Sequence, residues 1–216
     1  MKKKFDFVFQ QGKSIFTEAL IRNDKTFAKS LAKEAGKEYR EWNPMKSKPA
    51  AAIMKGLKSF PLKKGMKVLY LGAASGATIS FFSDIVGENG IIYGVEISER
   101  SLRDLNDVAE RRGNIVPIIA DARKPEEYSW IEKCDIVFED VASDDQPEIM
   151  IRNADKFLKP DGFGMLALKA RSMDVTKNPQ QIYKVVEKKL KEHFEILEKV
   201  VLDPYEKDHA FYLLKK

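Results

Sequence analysis

Soft metal ligands are almost missing from this chain. It has one cysteine, Cys134, and two histidines, His193 and His209. A single cysteine excludes an internal disulfide and a cysteine-rich metal centre, and so few histidines argue against a structural zinc. Cys134 stands just before the apolar Ile136-Val137-Phe138, so its expected role is a buried structural thiol. No apolar run approaches the roughly 20 residues that span a bilayer. The basic N-terminus is not followed by an apolar signal core, so a cytoplasmic protein with no membrane partner is expected. Neither an internal repeat nor a low-complexity segment is present.

What is present suits a packed core. The chain has 216 residues, 44% of them hydrophobic, enough for one substantial domain and a small appendage. Charged residues make up 33% and the formal net charge is +5, a balance that favours polyanionic partners but also serves solubility or heat resistance.

The organising stretch is Val68-Leu69-Tyr70-Leu71 followed by Gly72-Ala73-Ala74-Ser75-Gly76. The apolar run reads as a strand buried on both faces, and the segment from Ala77 to Val86 reads as a helix. A glycine-rich turn between strand and helix lets backbone N–H groups approach a ligand closely. The first glycine is expected to permit the turn, and the second to keep side chains clear. Twenty residues after Gly76, Glu96 ends a second apolar run, where an acid can bind a ribose diol. Further strands are expected at 114–120, 134–138, 164–168, 194–202 and 209–214, with helices at 98–112, 146–158 and 179–193. Alternation of strand and helix indicates a doubly wound, mostly parallel sheet.

Residues 1–47 read differently and are expected to form a small N-terminal β-rich domain, leaving residues 48–216 as the main one. Phe5, Phe7 and Phe9 alternate with polar or smaller residues, Gln11-Gly12-Lys13 offers a turn, and the segment from Ser14 to Leu20 can return as a strand. Pro49 fits the start of a helix expected to run from Ala50 to about Phe60. That places Lys48 at a helix N-terminus, where the dipole does not favour a cation, so the placement asks for a reason, although from spacing alone a solvated lysine among many is the readier reading.

Ligands of open α/β sheets bind at the carboxyl ends of the strands. The polar residues at those ends are Glu96, Asp121, Asp140 and Lys169. The acids could equally be helix caps or turn residues. Lys169 ends a very apolar strand and should be costly to desolvate unless it is paired or functional, and Asp140 at the neighbouring strand end could be that pair. His209, at the start of the final strand, is more readily surface or structural than catalytic when taken alone.

Together these residues carry a resemblance. Leu71-Gly72-Ala73-Ala74-Ser75-Gly76, Asp121-Ala122-Arg123, Asp140-Val141-Ala142, Leu168-Lys169-Ala170-Arg171-Ser172, the segment from Leu202 to Ala210, and Tyr39-Arg40-Glu41-Trp42-Asn43-Pro44 with Ser47-Lys48 are similar to the fibrillarin family in its archaeal form. The resemblance implies a Rossmann-like fold with a seven-stranded, mostly parallel sheet, and S-adenosyl-L-methionine as cofactor. It implies 2′-O-methylation of ribose in rRNA and tRNA. The implied partners are a box C/D guide RNA that chooses the target by base pairing, a Nop-domain scaffold protein and a kink-turn-binding protein. By motif, Lys48, Asp140, Lys169 and His209 would surround the target hydroxyl. Gly72, Ala77, Thr78, Glu96, Ile97, Asp121, Ala122 and Asp140 would contact the cofactor. Lys169 would orient or deprotonate the hydroxyl, or, if charged, stabilise the developing alkoxide. The chain departs from the usual family pattern at Pro49, Ala77 and Ser143, commonly leucine, threonine and glutamine, and Asp144-Asp145 adds negative charge nearby. A protein side-chain methyltransferase of the same fold, or a ribonucleoprotein subunit with a decayed site, are the alternative readings.

Overall fold

The computed structural model describes residues 1–216. Strands β1 (Lys2–Phe5), β2 (Val8–Gln11), β3 (Ser14–Glu18), β4 (Leu31–Glu34) and β5 (Lys37–Trp42) form an antiparallel sheet in the order β1-β2-β3-β5-β4. The alternation around Phe7 is therefore not one strand. The chain reverses at Asp6-Phe7, with Phe5 paired to Val8 and Phe7 in the left-handed region at φ 56°. Phe5 then packs on Phe60, while Phe9 meets the edge of Tyr39. A second hairpin, β4–β5, turns at Ala35-Gly36, both at positive φ, the conformation that matches the twist of paired strands.

Helix α1 (Lys48–Met54) follows. It is shorter than the sequence pattern suggests, because the chain turns at Gly56, whose φ is +97°. The rest alternates: β6 (Lys67–Leu71), α2 (Ala77–Val86), β7 (Ile91–Glu96), α3 (Glu99–Arg112), β8 (Ile115–Ile119), β9 (Cys134–Glu139), α4 (Gln146–Phe157) and β10 (Leu158–Lys169). A single turn, α5 (Ala170–Met173), precedes α6 (Pro179–Leu190), and β11 (Glu195–Val201) and β12 (His209–Lys215) close the chain as an antiparallel pair. The seven strands lie in the order β11-β12-β10-β9-β6-β7-β8, parallel from β10 to β8. The expected α/β class is found.

From β6 the chain moves outward to β7 and β8, then returns to place β9 on the other side of β6. The strand order thus reverses between β6 and β9, and the crevice of such a sheet opens at that point. Gly72 and Asp140 follow these two strands, and the Asp140 N–H donates to the Leu71 carbonyl at 2.9 Å. Gly72 has φ +80°, and a Cβ there would lie 2.5 Å from the Asp140 carbonyl oxygen. Gly76 serves differently from the expectation: its Cβ would meet Val108 at 2.9 Å, so it admits α3 rather than clearing space for a ligand.

The two sheets share a core. Trp42 of β5 stacks on Phe81 of α2, with ring centroids 5.3 Å apart and 13° between planes. Beside it, Asp84 of α2 joins Arg40 of β5 at 2.6 Å and Arg112 of α3 at 2.9 Å. Arg112 also reaches Asp24 at 2.7 Å, and the Thr17 hydroxyl donates to Asp84 at 2.6 Å. Arg40 and Asp84 side chains are wholly buried, so each charge depends on these partners. No helix is long and apolar enough to cross a membrane.

Candidate functional site

A cavity of about 300 Å³ opens at the sheet's switch point. Its wall includes Gly72, Glu96, Ile97, Asp121, Ala122 and Asp140, six of the positions singled out in the sequence. Strand ends β6, β7, β8 and β9 bring them together because parallel strands place their carboxyl termini on one side. Glu96, buried at the end of β7, accepts N–H bonds from Ala74 and Ser98, each at 2.8 Å. Those two bonds fix the carboxylate and still leave it acceptor capacity for hydroxyl donors. Ala74 adopts φ 47° to deliver its N–H. Ile97 is 62% exposed beside it, an apolar surface open to a flat ring.

Asp121 is held by Arg123. The guanidinium Nε lies 3.0 Å from each carboxylate oxygen and Nη2 lies 2.7 Å from Oδ2. The Arg123 side-chain bonds, helped by the Arg123 backbone N–H, hold the Asp121 carboxyl below its usual range against the opposing effect of burial. An ionised acceptor therefore stands in the wall, suited to an amine donor. Ala77 and Thr78 stand in the first turn of α2, outside the cavity wall. The Thr78 hydroxyl donates to Ser47 Oγ at 3.0 Å, so this side chain ties α2 to the residue before Lys48. That first turn has neither a side-chain cap nor an acid.

Lys48 is the first residue of α1, one earlier than Pro49 suggested, and its ammonium reaches Asp140 at 2.8 Å to Oδ1 and 3.0 Å to Oδ2. This pairing explains a cation at a helix N-terminus. It also corrects the expected Asp140–Lys169 pair. Lys169, the last residue of β10, is exposed and makes no ion pair, because the buried part of the strand ends at Leu168. Lys169 nevertheless neighbours His209 directly across the β10–β12 ladder.

His209 is buried, and burial pulls its imidazole below its ordinary value; the Lys207 carbonyl opposes this and the Lys48 charge reinforces it. Neutral at pH 7, the ring donates Nδ1–H to that carbonyl at 2.7 Å, which leaves Nε2 as an acceptor. Asp140, just after β9, lines the cavity and holds Lys48 of α1, whose charge acts on His209 of β12, and His209 stands across the ladder from Lys169 of β10. Cys134, by contrast, is buried at the far end of β9 and its thiol is pushed up to about 12, mainly by desolvation.

Several site residues carried weak signals in the sequence. Arg123 follows Asp121 by two positions, and Val141, Ala142 and Ser143 complete the wall after Asp140. Gln146 lies among the inward positions Ile149, Met150, Ala154 and Phe157 of α4, where a polar side chain is out of place. Glu139, at the end of β9, is fully buried with no protein hydrogen-bond partner for either oxygen. Asp145 does not stand as free negative charge: Ser143 bonds it at 2.5 Å and Arg152 at 2.9 Å.

Comparison with known proteins agrees with this arrangement. The Fibrillarin family model matches residues 1–216. A fibrillarin-like rRNA/tRNA 2′-O-methyltransferase from Pyrococcus horikoshii is 52% identical over 203 residues, covering 94% of this chain and 89% of the relative. Aeropyrum pernix fibrillarin, solved with natively bound S-adenosyl-L-methionine, is 45% identical, with a TM-score of 0.86 over 93% of this chain and 88% of that one. The fibrillarin of a fibrillarin/Nop5p complex is 38% identical, with a TM-score of 0.89 over 98% of this chain and 99% of that one. With the match running from end to end and the strand-end cavity in place, the chain belongs to the fibrillarin family.

Proposed function

We propose that this protein methylates the 2′-hydroxyl of ribose in rRNA and tRNA, with S-adenosyl-L-methionine as methyl donor. The observation that carries the reading is the Lys48–Asp140 pair on the cavity rim, with His209 beside it and Lys169 across the ladder from His209. The cavity fits the donor. Glu96 offers acceptor capacity for a ribose diol, Asp121 an ionised acceptor for an exocyclic amine, and Ile97 an apolar face for a base. Gly72 and Asp140 would border its reactive end, and the backbone of Ala77 and Thr78 its polar tail. Ala122 completes the wall behind the base. When bound, the sulfonium supplies a methyl group already activated for transfer.

The chain's own residues must then align the nucleophile and manage one proton. Asp140 holds the Lys48 ammonium through both oxygens, so that cation is oriented before the substrate arrives and needs no reorganisation. Lys169, free of ion pairs, is available to the 2′-hydroxyl either as a proton acceptor or as a charge that stabilises the alkoxide. His209 offers Nε2 as an acceptor for a ribose or hydroxyl proton. Arginine at position 169 keeps the charge but cannot accept a proton, so Lys169→Arg separates the two roles.

Target choice is placed in a box C/D guide RNA, with a Nop-domain scaffold and a kink-turn-binding protein completing the particle. The Nop5p complex of the related fibrillarin supports the scaffold. In this reading the chain contacts RNA through phosphate and sugar, consistent with its +5 net charge. We place the boundary of the small N-terminal unit at residues 47/48, supported by the end of β5 at Trp42 and the start of α1 at Lys48.

The test is methyl transfer from labelled S-adenosylmethionine to a guide-matched RNA, with and without scaffold, kink-turn protein and guide. Activity is expected only in the complete assembly and is expected to fall about 100-fold or more in Lys169→Ala. No transfer despite cofactor binding and full assembly would overturn the reading.

A further inference from the structure

Gln146 is wholly buried in the first turn of α4, and its amide is satisfied in an unusual way. Oε1 accepts the Lys169 backbone N–H at 3.0 Å, and Nε2 donates to the Lys169 carbonyl at 3.2 Å. The same nitrogen donates to the Ser143 carbonyl at 2.8 Å. One side chain thus closes a two-bond ring with the backbone of one residue, as a neighbouring strand would.

The sheet shows why such a ring is needed there. Parallel pairing of β10 with β9 ends at Leu166 opposite Glu139. Beyond that point Lys169 keeps a strand neighbour only on the β12 side, at His209. On the β9 side the chain has already turned away toward Asp140 and the cavity wall. Gln146 occupies the vacated position and supplies the donor and acceptor that β9 no longer provides. Because its second donor bond goes to Ser143, which lines the cavity, the amide also fixes Lys169 relative to that wall.

We propose that Gln146 is a positioning residue for methyl transfer: it holds the Lys169 backbone in register with the cavity wall, and so sets where the Lys169 ammonium meets the acceptor. The proposal rests on the role given to Lys169 above. Gln146 touches neither substrate nor cofactor in this scheme. Its contribution is geometric, and a displacement of about 1 Å at a reacting group can cost on the order of 100-fold in rate.

The experiment compares wild type, Gln146→Leu, Gln146→Glu and Lys169→Ala in the assembled particle with guide and target RNA. Single-turnover rates are read at saturating RNA and cofactor, and the dissociation constant for S-adenosylmethionine is measured on each chain. Gln146→Leu removes all three bonds and is expected to slow the saturated rate by about 10- to 100-fold. Cofactor affinity is expected to change by less than about 3-fold, since the amide does not line the cavity. Gln146→Glu keeps an acceptor for the Lys169 N–H and, if the leucine variant does not fold, carries the test. It is expected to recover toward the wild-type rate as pH falls, because protonation restores one donor. Saturated rates within about 2-fold of wild type in the Gln146 variants, with Lys169→Ala inactive, would overturn the positioning role alone. A parallel loss of rate and cofactor affinity would also overturn it. Wild-type rates in Lys169→Ala would instead overturn the reading of Lys169 on which the proposal stands.

Discussion

Glu139 gives the protein a pH dependence that can be worked out from its surroundings. Its carboxyl is fully buried without a protein hydrogen-bond partner. Burial pushes it well above the ordinary range, the nearby Asp145 and Asp140 carboxylates push the same way, and Arg152 opposes them more weakly. The folded chain therefore keeps this proton at pH values where the unfolded chain has lost it. Stability contributed by the group is fully present below about pH 4.3 and declines by about 1.4 kcal/mol for each pH unit above that, until the folded form ionises too. Glu139→Gln preserves shape and neutrality but abolishes the titration. Above about pH 4.3 the unfolding free energy of the variant should gain on that of wild type by up to about 1.4 kcal/mol per pH unit, until the folded Glu139 ionises. Taking the difference cancels every other carboxylate common to the two chains. The measurement is denaturant unfolding followed by circular dichroism at half-unit pH intervals. A difference that stays flat with pH would refute the reasoning, because it would mean that Glu139 ionises alike in both states.

Other substitutions probe the scaffold and the rim. Asp84→Ala leaves the buried Arg40 and Arg112 with Asp24 as their one remaining carboxylate partner and should cost about 3 kcal/mol in an unfolding titration. Gly72→Ala forces a Cβ into a 2.5 Å approach to the Asp140 carbonyl at a positive φ, so calorimetry should show cofactor affinity lowered by about tenfold or more. The His209 ring, followed by NMR, should titrate below 6.5. Since the folded value lies below the unfolded one, the stability from keeping this ring neutral is lost as pH falls through 6.5 toward the folded value.

The sequence by itself determined the architecture of the main sheet. Val68–Leu71, Ile136–Phe138 and Met165–Leu168 are apolar without interruption, and such runs bury on both faces only inside a covered parallel sheet. The acids at the carboxyl ends of the parallel strands β7, β8 and β9 then had to fall at one edge, which is why Glu96, Asp121 and Asp140 were legible as a group. The N-terminal strands were less legible, because the β1–β2 turn at Asp6-Phe7 has neither glycine nor proline to announce it. Tertiary structure alone decided how the polar groups pair. Asp140 binds Lys48, 92 residues away, and not the lysine at the neighbouring strand end. Thr78 turns to Ser47 and away from the cavity, Arg123 holds Asp121, and Gln146 holds Lys169. Asp84 joins the small sheet to the large one through two arginines from separate elements. Burial acts on local pattern and leaves a periodic trace along the chain. A hydrogen bond or ion pair instead requires two groups within about 3 Å, a condition set by how whole elements pack and written in no single stretch of sequence.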